Sequence, residues 1–322
     1  KTASYAMISP AKGKWLLSNP KNLAAFSAVG YFYALQIQKT LHVPIGIINS
    51  SYGGSTIEGW LNTSTVQKYT DYPVNTSIPD SLSSSRPCVM FQGMVRPYRN
   101  YQIKGFVWYQ GESNVGRSAS YAQKLQDLAY LWRFTFENPA LPLYVVEIAP
   151  YTYDGIIEPA KIREAAFKAT KELENAGIVC TNDLVPSVEA NCIHPSIKQP
   201  IGERLGNLAL VRTYLCDTIR AQSPSYDHVE LKSDSIILFF HDTYEGLQHE
   251  GFISGFELSN ATHEFHPVDA TIGTDKKTIV IPLEKGTVFY SVRYCFKNYQ
   301  IGNVKNSVGL PLFPFRTDDW LD

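Results

Sequence analysis

"IKGFVWYQGESN", residues 103–114, decides how this chain is read. Its first eight residues are mostly apolar and strand-prone, with no polar face. They run into a glycine and three polar residues. A strand of that kind is buried on both sides, as in a parallel sheet covered by helices. The next stretches of chain fit that setting. "SYAQKLQDLAYLWRFTF" (120–136) places Leu125, Leu128, Leu131 and Trp132 on one side of a helix, and "LPLYVVEIAP" (141–150) is a further apolar strand.

The alternation extends in both directions. Phe26, Val29, Tyr33 and Ile37 predict a helix over 23–40 capped by Asn22. Val43–Asn49 then reads as a doubly buried strand, and 62–87, rich in Ser, Thr, Pro and Asp, as a surface excursion. Beyond residue 150 come a helix at 161–173, a strand at 177–183 and a helix at 198–215. Helical periodicity ends near residue 220, where short alternating runs such as "VELKSDSIILFF", "TIVIPL" and "FYSVRYCF" take over. The expectation is an α/β domain over 1–220 and a small antiparallel β domain over 221–322.

Composition narrows the function. Hydrophobic residues are 44% and charged residues 18%, with a net charge of −1, so neither a nucleic-acid surface nor an anionic-membrane surface stands out. No apolar run is long enough to span a bilayer. The five cysteines are too scattered for a disulfide scaffold or a CxxC metal site and read as mostly buried thiols, with one or two bridges left open. The first residue is Lys1, as in a processed or trimmed product. Glycosylation triplets at Asn62, Asn75 and Asn260 point to an exported protein: secreted, periplasmic or lysosomal. Aromatics are 13%, which suits a sugar surface and equally suits ordinary edges.

In an open parallel sheet, ligands bind at the carboxyl ends of the strands, so the loops there carry the candidates. "SSYGGS" holds Gly53 and Gly54, whose N–H groups can approach a developing oxyanion; the bland reading is a tight turn. "QGESN" offers Gln110 as an amide donor, with Glu112 and Asn114 as pocket residues or as caps for loop backbone. Ser113 resembles a nucleophile elbow, but that motif needs glycine two residues on and position 115 is Val. His194 comes after the last strand of the alternation and faces a general-base role.

Three stretches together, "FSAVGYFYALQIQKTLHVPIGIINSSYGGSTIEGW", "IKGFVWYQGESN" and "IHPSIKQPIGERLGNLAL", resemble the sialate O-acetylesterase family of SGNH-type serine hydrolases. The closing "YSVRYCFKNY" and "NSVGLPLFPFRTDDW" resemble the family's C-terminal β region, so the likeness spans about residues 15–320. It implies a flavodoxin-like α/β/α sandwich and removal of acetyl esters from sialic acid or a related sugar. It also implies no metal or organic cofactor. It makes His194 the base, with the Gly53–Gly54 turn and Gln110 forming the oxyanion hole. It also denies Ser50 and Ser51 the role of nucleophile.

That serine belongs to a GQSN-type motif on the family's first strand, ahead of the helix at 23–40. The only Ser-Asn there is Ser18-Asn19, without Gly-Gln before it. The nucleophile is therefore expected on an N-terminal segment or separate chain that completes the fold. The rival reading is a silent carbohydrate-binding homologue that has lost it. Asn191 occupies the position three before His194 where many SGNH hydrolases carry Asp. Asp183, or less readily Glu189, is expected to orient the imidazole instead, or a backbone carbonyl in a dyad.

Overall fold

The computed structural model describes residues 13–71, 84–153, 157–284 and 291–320. The chain divides into two compact units. The first comprises Lys1–Ile148, Ala165–Ile178 and Lys198–Leu215; the second comprises Ala149–Glu164, Val179–Ile197 and Cys216–Asp322. Periodicity alone predicts one division near residue 220. The loops after the second and third strands join the tail's unit because their groups bond to it. Tyr151 N donates to Asn298 O at 3.1 Å, the Tyr299 hydroxyl donates to Val185 O at 3.1 Å, and Lys305 meets Asp183 at 3.6 Å.

A three-stranded sheet is built from β1 (Phe106–Tyr109), β2 (Leu143–Val146) and β3 (Ala176–Val179), in that order. β1 and β2 run parallel, with Phe106 opposite Leu143 and Tyr109 opposite Val146. All four residues of β2 and of β3 are buried, as their continuous apolar composition requires. The helices are α1 (Ala28–Leu41), α2 (Tyr121–Thr135), α3 (Glu158–Glu172) and α4 (Gln199–Arg212). α1 starts later than its spacing predicts. Ser27, not Asn22, is its cap, accepting from Gly30 N at 3.1 Å; Asn22 belongs to a separate turn capped by Asn19.

Two glycines of α4 set how closely it packs on α1. A Cβ at Gly202 would lie 2.5 Å from Phe32 Cβ and 2.8 Å from Val29 O, and one at Gly206 would lie 2.6 Å from Gln36 Cβ. Only bare backbone fits there. Gln36 Nε2 donates across the same contact to Asn207 Oδ1 at 2.7 Å.

The expected strand at Val43–Asn49 is not a strand. Its residues take no place in any sheet among the described residues, and none is buried; Val43 is 44% exposed. An apolar run becomes a strand only where another strand offers its backbone groups, and none of the described strands does so here. β1 shows the same lack from its own side. Among the described residues it is bonded to β2 alone, and Val107 is 39% exposed although it lies mid-strand.

The second unit carries the expected antiparallel tail. β4 (Ser225–Leu231), β5 (Ser235–His241), β9 (Thr271–Ile272) and β10 (Thr278–Pro282) form one sheet in the order β4-β5-β10-β9. β7 (Phe256–Ser259), β8 (Phe265–Pro267), β11 (Val292–Tyr294) and β13 (Phe315–Arg316) form another in the order β13-β11-β7-β8. β6 (Leu247–Gln248) pairs with β12 (Lys305–Asn306). Strand alternation supplies the core. Ile236 sits opposite Ile281 and Leu238 opposite Ile279, and all four are fully buried. Cys88, Cys180 and Cys295 are buried, and all five cysteines are free thiols.

Candidate active site

In the first unit the diglycine turn and the loop after β1 are fastened together. Gly54 has φ of 70°, a left-handed conformation that a side chain resists, so the turn needs glycine there. Ser113 Oγ donates to Gly54 O at 3.0 Å, and Gln110 Nε2 donates to Ser55 O at 3.0 Å. The Trp60 indole donates to Ser55 Oγ at 2.9 Å. Among the described residues neither the Gly53 nor the Gly54 N–H donates to a protein acceptor. Two backbone donors thus remain open on a turn held at three points.

Gln110 takes a different part from the one expected of it. Both its amide hydrogens are engaged, one by Ser55 O and one by Asn114 Oδ1 at 2.8 Å. Its Oε1 accepts from the Tyr121 hydroxyl at 3.0 Å. An amide so committed has no hydrogen left for an oxyanion. Gln110 is a brace between β1's loop and the turn.

Asn114 is also not a substrate contact. It is completely buried, and its Oδ1 accepts from Ile57 N at 2.9 Å as well as from Gln110. Its Nδ2 donates to Glu58 Oε2 at 3.1 Å. Glu112 is half-buried at the loop's start, in a 3-10 turn over Glu112–Asn114. Burial, and then the charges of Glu112 and Glu147, push the Tyr109 hydroxyl well above its ordinary pKa, so that phenol stays protonated.

Behind Asn114 lies a buried charge cluster that apolar periodicity does not single out. Lys124 on α2 is fully buried and donates to Glu58 Oε1 at 2.8 Å and to Asp71 Oδ1 at 2.8 Å. Arg117 approaches Glu58 at 3.7 Å. Burial alone would raise the Asp71 carboxyl, but hydrogen bonds from Lys124 and Ser120 hold it below the ordinary carboxylate range. The sequence does carry a signal for it: Lys124 stands three residues after Tyr121 and four before Leu128, on the apolar stripe of its helix.

The serines weighed as nucleophiles are all tied down. Ser50 Oγ donates to Met94 O, Ser51 Oγ to Asn49 Oδ1 at 2.8 Å, and Ser113 Oγ to Gly54 O.

In the second unit His194 sits on an exposed loop, and no hydrogen bond or ion pair reaches its ring from another described residue. Asp183 does not orient it. That carboxylate has 8% of its side chain exposed and meets Lys305 at 3.6 Å instead. Glu189 uses Oε2 to accept from Ser196 N at 2.9 Å, closing the loop around the histidine. His194 O accepts from Cys192 Sγ at 3.2 Å. Of the glycosylation triplets, Asn62 caps a helical turn by accepting from Thr65 N at 2.9 Å, and Asn260 accepts from Thr262 N at 2.9 Å. Asn75 lies outside the described residues.

Comparison with known proteins fixes the kinship of this arrangement. The family described as carbohydrate esterase, sialic acid-specific acetylesterase, matches residues 17–210, which include the turn, the QGESN loop and His194. The chain belongs to that carbohydrate esterase family. A crystal structure of a carbohydrate acetylesterase from Xanthomonas citri superposes with a TM-score of 0.84 at 28% identity, covering 97% of this chain and 71% of that one. Sialate O-acetylesterase of Homo sapiens is 27% identical over 297 residues, 85% of this chain, and that of Pongo abelii is 26% identical over the same length. The chain spans 56% of the length of each of these two relatives.

Proposed function

We propose that this chain is the larger part of an exported carbohydrate O-acetylesterase that removes acetyl groups from sialic acid, at the 9-hydroxyl, by a serine–histidine mechanism. The serine attacks the acetyl carbonyl while His194 takes its proton. The N–H groups of Gly53 and Gly54 hold the tetrahedral oxyanion. His194 then returns the proton to the departing sugar hydroxyl, and water releases acetate from the acyl-enzyme by the same steps. The observation that carries this reading is the braced left-handed turn, whose two amides are without described protein acceptors. Open donors fixed in advance are what a developing alkoxide requires, and losing one such donor costs roughly 3 kcal/mol of transition-state stabilisation.

The reactive serine comes from a segment outside these residues, on a strand that pairs with the free edge of β1. That part of the proposal is supported by β1's single described neighbour and by Val107's exposure. An unpaired edge in a sheet of this kind is a site for strand addition.

The test is acetate release from 9-O-acetyl sialic acid by the whole protein and by the His194→Ala variant. We expect turnover in the first and a loss of more than about a thousandfold in the second, in line with the cost of removing a catalytic base. Activity retained without His194 excludes it as base. Sugar binding with no turnover in the whole protein would instead favour a binding role.

A further inference from the structure

We propose that Lys124 is a positioning residue of the esterase site, acting through Glu58, Asn114 and Gln110 on the diglycine turn. The inference rests on the function proposed above and adds a residue far from the reacting atoms. The chain of contacts is continuous. Lys124 Nζ donates to Glu58 Oε1 at 2.8 Å. Glu58 accepts from Asn114 Nδ2 at 3.1 Å and 3.3 Å on its two oxygens. Asn114 Oδ1 accepts from Gln110 Nε2, which donates also to Ser55 O beside Gly54.

Each link leaves one orientation for the next. Glu58, as a carboxylate, can only accept, so it fixes which end of the Asn114 amide faces it. That turns Oδ1 toward Gln110, which must then present its NH2 end. The single Tyr121 hydroxyl hydrogen is shared between Gln110 O at 2.9 Å and Gln110 Oε1 at 3.0 Å, which is compatible with that direction. Glu58 and Lys124 are both without exposed side-chain surface. A buried carboxylate needs its donors, and Glu58 draws on Lys124 at 2.8 Å and, more distantly, on Arg117 at 3.7 Å. Take Lys124 away, and Glu58 loses its shortest bond and turns toward Arg117, which already stands 3.7 Å from Oε2. Ile57 N still holds Asn114 Oδ1, but Nδ2 follows the displaced carboxylate, the shared amide tilts, and the brace on Ser55 loosens.

A purely structural ion pair would make the same demand for burial and pairing but would not touch the turn. Arg293 and Asp318 in the second unit supply that control: they meet at 2.7 Å with 5% and 1% of their side chains exposed.

The experiment compares the whole protein with Lys124→Met, Lys124→Met/Glu58→Gln and Arg293→Met, using 4-nitrophenyl acetate below every melting temperature. Lys124→Met is expected to lower kcat about tenfold or more, with KM within twofold, a loss within the range of a misplaced oxyanion donor. The double variant restores an uncharged acceptor for Asn114 and is expected to return kcat to within about threefold of the parent; it also serves if the single variant fails to fold. Arg293→Met should lose melting temperature yet keep kcat within twofold. Side-chain amide NMR of Gln110 gives a readout that needs no turnover, and its signals should shift in Lys124→Met and recover in the double variant. A kcat within twofold in Lys124→Met, no recovery in the double variant, an Arg293→Met loss of equal size, or unmoved Gln110 signals would each overturn the proposal. Absence of any turnover in the parent strikes the esterase reading instead, and the amide signals then decide the coupling on their own.

Discussion

Lys124 in the first unit and Arg293 in the second are both cations withdrawn from water, and their surroundings differ. Lys124 gathers Glu58 and Asp71, 66 and 53 residues away in sequence, and the contacts lead on through two amides to a loop at the strand ends. Arg293 meets Asp318, 25 residues away, lies 3.9 Å over the Phe265 ring, and its partner also receives Ser291 and Arg316. That cluster fastens the last described residues to β11 and, through Arg316 and Glu164, to α3, and none of these bonds leads to the turn. Burial of charge is costly in both, and each needs its partner. The lesson is that the cost alone does not reveal a role; what the far side of the carboxylate touches does.

The largest effect that could break this comparison is on stability. Removing one partner from a buried pair costs about 3–5 kcal/mol, so Lys124→Met and Arg293→Met should lose similar amounts in denaturant unfolding. If either loses less than about 1 kcal/mol, the surface estimate for exposed pairs applies and the pair is not acting as a buried one. Packing comes next. Gly202→Ala puts a methyl where Phe32 and the Val29 carbonyl already stand, which should cost about 1–3 kcal/mol, since neither can withdraw without moving helix backbone. An unchanged melting temperature would mean that α1 and α4 slide apart freely.

The smallest effect is on acid tolerance, and it sharpens the contrast between the two carboxylates. Burial pushes the Asp318 carboxyl upward, yet bonds from Arg293 and Ser291 bring it below the ordinary range, as Lys124 and Ser120 do for Asp71. A carboxyl lowered on folding stabilises at pH above its unfolded pKa, near 3.9, and loses that contribution as pH falls through the folded value. Stability should therefore fall below about pH 4, and Asp318→Asn should flatten the fall. An unfolding free energy that stays level between about pH 5 and pH 2 would contradict both assignments.

Much of the α/β part was legible in the residues. Continuous apolar runs gave β1, β2 and β3, helical spacing gave four helices, and the change of period near 220 gave the antiparallel tail. Glycine chemistry located the turn. Pairing was not legible: Val43–Asn49 has the composition of a strand, but strandedness depends on a neighbour that composition cannot supply. Nor were side-chain commitments. Gln110 in "QGESN" offers an amide to the eye, and only the positions of Ser55, Asn114 and Tyr121 show that both hydrogens are engaged. Its place just after the last strand of the alternation suggests Asp183 for His194, whereas Asp183 meets Lys305, 122 residues further on, at 3.6 Å. Lys124 is hidden for the opposite reason, because a helix read for its leucines lets a lysine on the same stripe pass as surface.

The bare glycines of α4 have a consequence for how the chain is made. Gln36 and Asn207 stand 171 positions apart, and α1 rests on the strip around Gly202 and Gly206. During synthesis α1 emerges long before the helix it must interlock with, and contacts so remote along the chain form slowly. Until α4 leaves the ribosome, the apolar face of α1 stays uncovered by that partner, exposed to chaperones and to neighbouring nascent chains alike.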